Sequence, residues 1–177
     1  MLEGRYGEAQ DFFQRALSIQ KQNLGSQHAD IAITLDNLAS CALNQGQHAK
    51  AASLLVRALA IQRAALGPER SEVATTLLLL AEAHYKLEYF QESEREGREA
   101  LRIAEQASRR GGAELLPVLE LLSAVSIARG KGRQAKEYYC RSVFIAEQSY
   151  GPLDSRLADL KAKYGQIPHN QKSVCTK

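Results

Sequence analysis

The sequence predicts an all-α protein, a stack of antiparallel helix pairs with about eight helices. Residues 46–61, GQHAKAASLLVRALAI, return in similar form at residues 4–19, 88–103 and 130–145, a period of 42 residues without drift. In each copy, apolar residues recur in three- and four-residue steps, which is the pattern of an amphipathic helix. A fixed period of this length indicates repeated units, each of which buries its apolar face only against its neighbours.

Glycine, proline and capping residues set the predicted helix ends. The first copy is a half repeat over residues 4–25, in which Gly25 ends the helix. Ser26 and Asp30 are polar residues that can cap the next helix. Pro117 is expected in a first helical turn, where its missing N–H costs nothing. The predicted helices cover residues 6–21, 30–44, 48–65, 71–87, 90–106, 116–129, 131–148 and 157–164.

The repeats predict one domain over residues 1–164, followed by a tail. The stretch at 108–112, SRRGG, is predicted to be a solvated turn, because it lacks the Lys-Ser/Thr of a phosphate loop. Residues 165–177 carry no periodicity and are predicted to be disordered. After the half repeat, the domain is predicted to contain full repeats at about 28–67, 70–109 and 113–151, and a closing helix within 153–164.

Composition and motifs argue against several classes of function. A net charge of +3 is too small to make nucleic acid or an anionic membrane the expected partner. No apolar run approaches the roughly 20 residues of a membrane span. Cys41, Cys140 and Cys175 fit no disulfide framework and no metal-ligand spacing, which favours a reducing, cytoplasmic compartment. No Ser/His/Asp or Cys/His set is placed by the pattern, so we expect no enzyme, no metal and no cofactor.

The repeated segments resemble the tetratricopeptide repeat (TPR) family over residues 4–164. The resemblance is carried by HADIAITLDNLA (residues 28–39), GQHAKAASLLVRALAI and the closing Leu-Gly. The period of 42 rather than about 34 is similar to that of kinesin light chains, nephrocystin-like proteins and bacterial signalling proteins. Gly97 departs from the large residues of the other copies, which predicts a packing defect or a bend. Small residues are expected where helices cross closely, at Ala39, Ala51, Ala58, Ala81, Ser93, Ala100, Ser123, Ala135 and Ser142.

The resemblance implies a right-handed α-solenoid in which the first helix of each pair lines a concave groove. It therefore implies a protein–protein interaction scaffold that binds a peptide or helix of a partner protein. The predicted groove residues are Ile33, Asp36, Asn37, Ser40 and Asn44 in one repeat, Thr75, Leu78, Leu79, Glu82, Tyr85 and Lys86 in the next, and Glu120, Leu121, Ala124 and Ile127 in the last.

The chemistry of these positions favours an apolar guest. Asn37 occupies a place where the family often uses Asn to hold a bound peptide backbone. Leu79 and Leu121 stand at the equivalent places in the next two repeats, so an Asn ladder is absent. Lys86 is the one cation of the predicted groove, which indicates an apolar peptide rather than an acidic tail. The alternative is that these leucines pack against neighbouring helices.

Two further interpretations stay open. The chain can be a regulatory or sensor segment of a larger signalling protein, since the helix at 6–21 lacks an inner partner of its own. It can also be a self-associating module that forms a homodimer through Phe12, Phe13 and Leu17. Separately, the charges between residues 92 and 99 alternate in sign, which predicts an exposed helix face with weak i,i+4 pairs.

Overall fold

The computed structural model describes residues 2–107, 112–151 and 154–164 of the chain. These residues form eight α-helices and no β-strand, so the predicted all-α fold is confirmed. The predicted tail, and residues 108–111 of the predicted turn, lie outside the described residues. A 3-10 turn, Ala113–Leu115, precedes α6. The helices are α1 (Leu2–Leu24), α2 (Ala29–Asn44), α3 (His48–Leu66), α4 (Ser71–Lys86), α5 (Phe90–Ala107), α6 (Leu116–Ala128), α7 (Gly132–Tyr150) and α8 (Ser155–Tyr164).

The start of α2 differs from the prediction. The N-cap is His28, whose Nδ1 accepts a hydrogen bond from the backbone N–H of Asp30 at 3.3 Å. The caps predicted at Ser26 and Asp30 are wrong, because Asp30 already lies in the first turn and Ser26 lies before the cap. The imidazole satisfies one of the backbone donors that a first turn leaves open. Pro117 lies in the first turn of α6, as predicted.

The chain folds as two compact units. The first ends at Ile103 and contains α1 to α4 and most of α5, and the second begins at Ala104 and contains α6 to α8. In the first unit α1 packs on α2, α2 on α3 and α3 on α4; in the second, α6 packs on α7 and α7 on α8. Within each unit, short connections make consecutive helices antiparallel. The predicted boundaries of the individual repeats stay predictions.

A core cluster of the first unit lies between α2 and α3. Its members are at most 6% exposed, and α1 contributes one side chain that packs against it. Each large aliphatic side chain buried in this way contributes about 1.5–3 kcal/mol, so the cluster stabilises the packing of three consecutive helices. The cluster comprises Ile31, Ala32, Leu35, Ala58 and Ile61, with Leu17 and Leu54 packed against it.

The positions expected to be small are buried, and two of the three serines there bond across the helix pair. The Ser93 hydroxyl donates to the backbone carbonyl of Ala81 at 2.7 Å, and the Ser123 hydroxyl donates to that of Ala135 at 3.0 Å. Each buried hydroxyl is therefore satisfied. The helix α5 runs unbroken through Gly97. The fully buried alanines among these positions are Ala39, Ala51, Ala58, Ala81 and Ala135.

Turns one period apart share a backbone geometry. After α2, the N–H of Gln47 donates to the carbonyl of Ala42 at 2.8 Å, and equivalent hydrogen bonds follow α4 and α6. This is the Schellman pattern, which places one residue in the left-handed region. That residue is Gly46 (φ 72°) in the first turn and Gly130 (φ 69°) in the third. In the second it is Glu88 (φ 62°), the single non-glycine residue with positive φ in the described part of the chain.

Candidate peptide-binding groove

Five predicted groove residues lie on α2, and none of them is fully buried. Ile33 is 56% exposed, Asn37 and Asn44 are exposed, and Asp36 and Ser40 are half-buried. The Asn44 side chain donates from Nδ2 to the Ser40 carbonyl at 2.8 Å, so this amide is used within its own helix. The Asn37 amide is open to solvent and can donate and accept at once.

Six predicted groove residues lie on α4, which contacts α2 within the first unit. The Tyr85 ring packs against the Phe90 ring of α5, with centroids 5.8 Å apart. Removal from water raises the pKa of Glu82, and the positive charge of Lys86 opposes that rise. Leu78, Leu79 and Tyr85 are half-buried, whereas Thr75, Glu82 and Lys86 are exposed.

The last four predicted residues lie on α6, in the second unit. Ile127 is 44% exposed, and Glu120 and Ala124 are half-buried. Leu121 is only 8% exposed and offers a ligand little surface. The cause is that α6 is apolar on nearly every side, so residues outside the one face expected to pack inward are buried as well.

Asp36 links three helices of the first unit. Its Oδ2 accepts hydrogen bonds from Gln62 Nε2 of α3 and Thr76 Oγ1 of α4, both at 2.8 Å. Its Oδ1 is buried and has no hydrogen-bond partner among the residues described. Burial raises the pKa of Asp36 to about 6, although the hydrogen bonds from Thr76 and Gln62 act in the opposite direction. The surface of α2 therefore contains a carboxyl group that changes charge near pH 6.

A hydrogen-bonded histidine–glutamate pair between α4 and α5 was not predicted from the sequence. His84 Nδ1 lies 2.7 Å from Glu96 Oε2, and the two side chains are 16% and 7% exposed. Burial raises the pKa of Glu96, and the hydrogen bond and charge of His84 oppose the rise. The predicted exposed face is wrong for Glu94 and Glu96, which are buried. The neighbouring Ser93 is small and bonds to the backbone of α4, so α5 lies close enough to cover the glutamates.

The described residues contain few groups suited to chemistry. Within residues 2–107, 112–151 and 154–164, no three His, Cys, Asp or Glu side chains are grouped so that they could hold a metal ion. No helix in these ranges has the length and apolar character needed to cross a membrane. Cys41 is a buried free thiol, and burial raises its pKa.

The fold is similar to several solved structures. BtubC (BKLC) from P. vanneervenii aligns at a TM-score of 0.71 and 19% identity, covering 98% of this chain and 63% of BtubC. A putative kinesin light chain with nearly identical TPR-like repeats, from Podosopora anserina, aligns at a TM-score of 0.73 and 24% identity, covering 92% of this chain and 81% of that one. The apo form of RapI aligns at a TM-score of 0.76 and 17% identity, covering 94% of this chain and 44% of RapI.

The sequence comparisons are consistent with these structures. No curated protein matches the sequence. The family model described as "Tetratricopeptide repeat" matches residues 1–64 and 30–106. Together these matches cover residues 1–106, more than half of the 177 residues. In fold, the repeats are of the kinesin light chain type that the 42-residue period predicted. The chain belongs to the tetratricopeptide repeat family.

Proposed function

We propose that the chain is a protein–protein interaction scaffold that binds a peptide or helix of a partner protein along α2 and α4. The observation that carries the proposal is a row of apolar side chains on these helices that the first unit buries only in part. Ile33 is 56% exposed, and Leu78, Leu79 and Tyr85 are half-buried. A solvent-exposed apolar row of this kind is typical of a protein-binding surface.

The charges of this surface favour an apolar guest. Lys86 supplies its one cation and Glu82 lies one helical turn before it, so an acidic tail finds no uncompensated positive charge. The exposed amide of Asn37 can hold the backbone of the bound segment. We propose Ile127 and Ala124 as contacts of the same kind on the second unit, where they are the less buried apolar residues of the predicted set.

We also propose that the chain acts without catalysing a reaction and without a cofactor. Binding scaffolds act through surface complementarity alone, and the function proposed above needs no other chemistry. The cytoplasmic location stays a prediction, which fractionation of cells expressing the tagged chain tests. Signal in a secreted or membrane fraction would contradict it.

A peptide array tests the binding proposal. We expect the full chain to retain apolar helical peptides and to ignore acidic C-terminal peptides. The variants Ile33→Glu and Asn37→Ala change exposed side chains, and each should weaken binding about tenfold, since each removes an apolar or hydrogen-bonding contact. Val56→Glu is the matched control, because Val56 is 54% exposed on α3 and outside the predicted groove. Preference for acidic C-termini, or equal loss with the control, would contradict the proposal.

A further inference from the structure

A face of α1 is exposed where the corresponding face of α3 is covered. A shift of 42 residues carries Phe12 onto Leu54 and Ile19 onto Ile61. On α3, Ile61 is 6% exposed and Leu54 is half-buried, because both pack in the cluster that α2 completes. On α1, Phe12 is 68% exposed and Ile19 is 58% exposed. The α1 side chains are as apolar as their copies, so the difference lies in the helix that covers α3.

Polar contacts differ between the two copies in the same place. The shift that relates the helices carries Gln20 of α1 onto Gln62, and Thr34 of α2 onto Thr76. Gln62 and Thr76 both donate to the carboxylate of Asp36, which comes from the covering helix α2. In the earlier copy no described residue takes the place of Asp36, and Thr34 Oγ1 donates to Gln20 Oε1 at 2.7 Å instead. A carboxylate placed between Gln20 and Thr34 would receive the two hydrogen bonds that Asp36 receives.

The pattern of α2 defines what would fit. It presents Ile31, Ala32 and Leu35 to the core cluster, and Asp36 follows directly after Leu35. The matching occupant therefore carries apolar residues at positions i, i+1 and i+4 of a helix, and a carboxylate at i+5. These positions lie on one side of an α-helix. In a second copy of this chain the α2 pattern is itself buried, since Ile31 and Leu35 are 0% exposed, so a folded copy cannot offer it.

We propose that the surface formed by Phe12, Ala16, Ile19 and Gln20, next to the hydroxyl of Thr34, which is only 5% exposed, binds an amphipathic helix of a partner protein that carries this Ile-Ala-x-x-Leu-Asp type of pattern. We name this surface the α1 face. It is separate from the groove residues of α2 and α4, and the proposal does not depend on the function proposed for them. The partner helix would pack against α1 and α2 in the way that α2 packs against α3 and α4.

A peptide with the sequence of α2 provides the probe. Fluorescence anisotropy would measure the binding of a labelled peptide of residues 28–45 to the full chain. We expect Ile19→Glu to weaken binding at least about tenfold, because it places a charge against the apolar stripe. We expect Gln20→Ala to weaken binding about tenfold, because it removes a hydrogen bond to a carboxylate. Val56→Glu is the control and should bind as the unchanged chain does.

A second peptide tests the carboxylate itself. With Asp36→Ala in the peptide, the chain variant Gln20→Ala should cause no further loss, because the two changes remove the same hydrogen bond. Ile19 is 58% exposed, so circular dichroism of Ile19→Glu should show unchanged helicity. Independent effects of the two changes would overturn the assignment of Gln20 to the carboxylate.

Three other outcomes would overturn the proposal as a whole. One is the absence of binding at millimolar peptide. Another is binding that Ile19→Glu leaves unchanged, which would mean that the peptide displaces α2 from α3. The third is a chain that sediments as a dimer and becomes a monomer with Ile19→Glu, which would make a second copy the occupant of the α1 face. Groove variants such as Asn37→Ala should not change binding of this probe, which separates failure here from failure of the groove proposal.

Discussion

Replacing Glu88 by glycine should stabilise the protein. Glu88 has a φ of 62° in a turn where the equivalent residues one period before and after are glycines. A side chain with a Cβ atom is disfavoured in this region, because the Cβ crowds the following carbonyl oxygen. Among the described residues the exposed carboxylate of Glu88 makes no hydrogen bond or ion pair that would offset the strain.

The size of the effect follows from two opposing contributions. The left-handed conformation costs an L-residue roughly 1–2 kcal/mol, and removing the Cβ relieves that cost. Glycine also gives the unfolded chain more freedom, which destabilises the folded state by roughly 0.5–1 kcal/mol. The free energy of unfolding should therefore rise by about 0.5–1 kcal/mol. For a chain of this size the midpoint temperature should rise by about 2 °C.

Urea unfolding followed by circular dichroism measures this change, and Gly46→Glu provides a reciprocal control. A Cβ atom at Gly46 would meet nothing within 4 Å, so the substitution tests the backbone conformation and not steric overlap. We expect Gly46→Glu to lower the free energy of unfolding by an amount similar to the gain from Glu88→Gly. The reasoning is refuted if Glu88→Gly leaves the urea midpoint unchanged or lowers it while Gly46→Glu is destabilising.

Three further predictions concern buried groups. Because folding raises the pKa of Asp36 from 3.8 to about 6, its stabilising contribution is present below pH 3.8 and is lost as pH rises through 6. Urea titrations should show that, between pH 4 and pH 7, the free energy of unfolding of the unchanged chain falls by about 2 kcal/mol relative to that of D36N, after allowance for the partial exposure of the carboxyl. Parallel plots of unfolding free energy against pH for the two proteins would contradict this. In the same assay E96A should cost about 1–3 kcal/mol by leaving a buried imidazole without its partner, whereas E137A in an exposed pair should cost under about 0.5 kcal/mol. Equal costs would argue against a role for burial. In thermal melts A58L should destabilise the protein by about 1–3 kcal/mol through overpacking. The control A16L changes the equivalent residue one period earlier, which is half-exposed, and should destabilise less. A larger effect of A16L would contradict the equivalence of α1 and α3.

The helices could be predicted because their information is local and repeated. Apolar spacing sets each helix, and the 42-residue period repeats that signal in four copies, so the pattern in one copy supports the others. Pro117 was placed correctly for the same reason, since its effect on the first turn depends on its own ring. The exposed positions of Ile33 and Asn37 on α2 also follow from helical phase alone.

The electrostatic contacts could not be predicted in the same way. The pairing of His84 with Glu96 depends on how two helices meet, and a single-helix pattern treats both as surface residues. A usable signal does exist, because the bonds from Ser93 to Ala81 and from Ser123 to Ala135 also join residues that are 12 apart. In both units, residues 12 apart therefore meet at one level of a helix pair, and the separation is larger farther from the connection, as it is for Asp36 and Gln62. At that level of the helix pair, a separation of 12 would have placed Glu96 opposite His84.

The matching turns at positions 46 and 88 make the intervening segment a cassette. The backbone enters and leaves residues 46–87 through turns with the same hydrogen bonds and with φ values of 72° and 62°. A tandem duplication of this segment would rejoin the chain without a new loop conformation. Each insert would carry its own copies of Gln62 and Thr76, but the residue one period after Asp36 is Leu78, so these copies would face an apolar side chain instead of a carboxylate. Growth of such an array by gene duplication therefore keeps the turns, and the added helix interface needs a compensating change only where Gln62 and Thr76 would face Leu78.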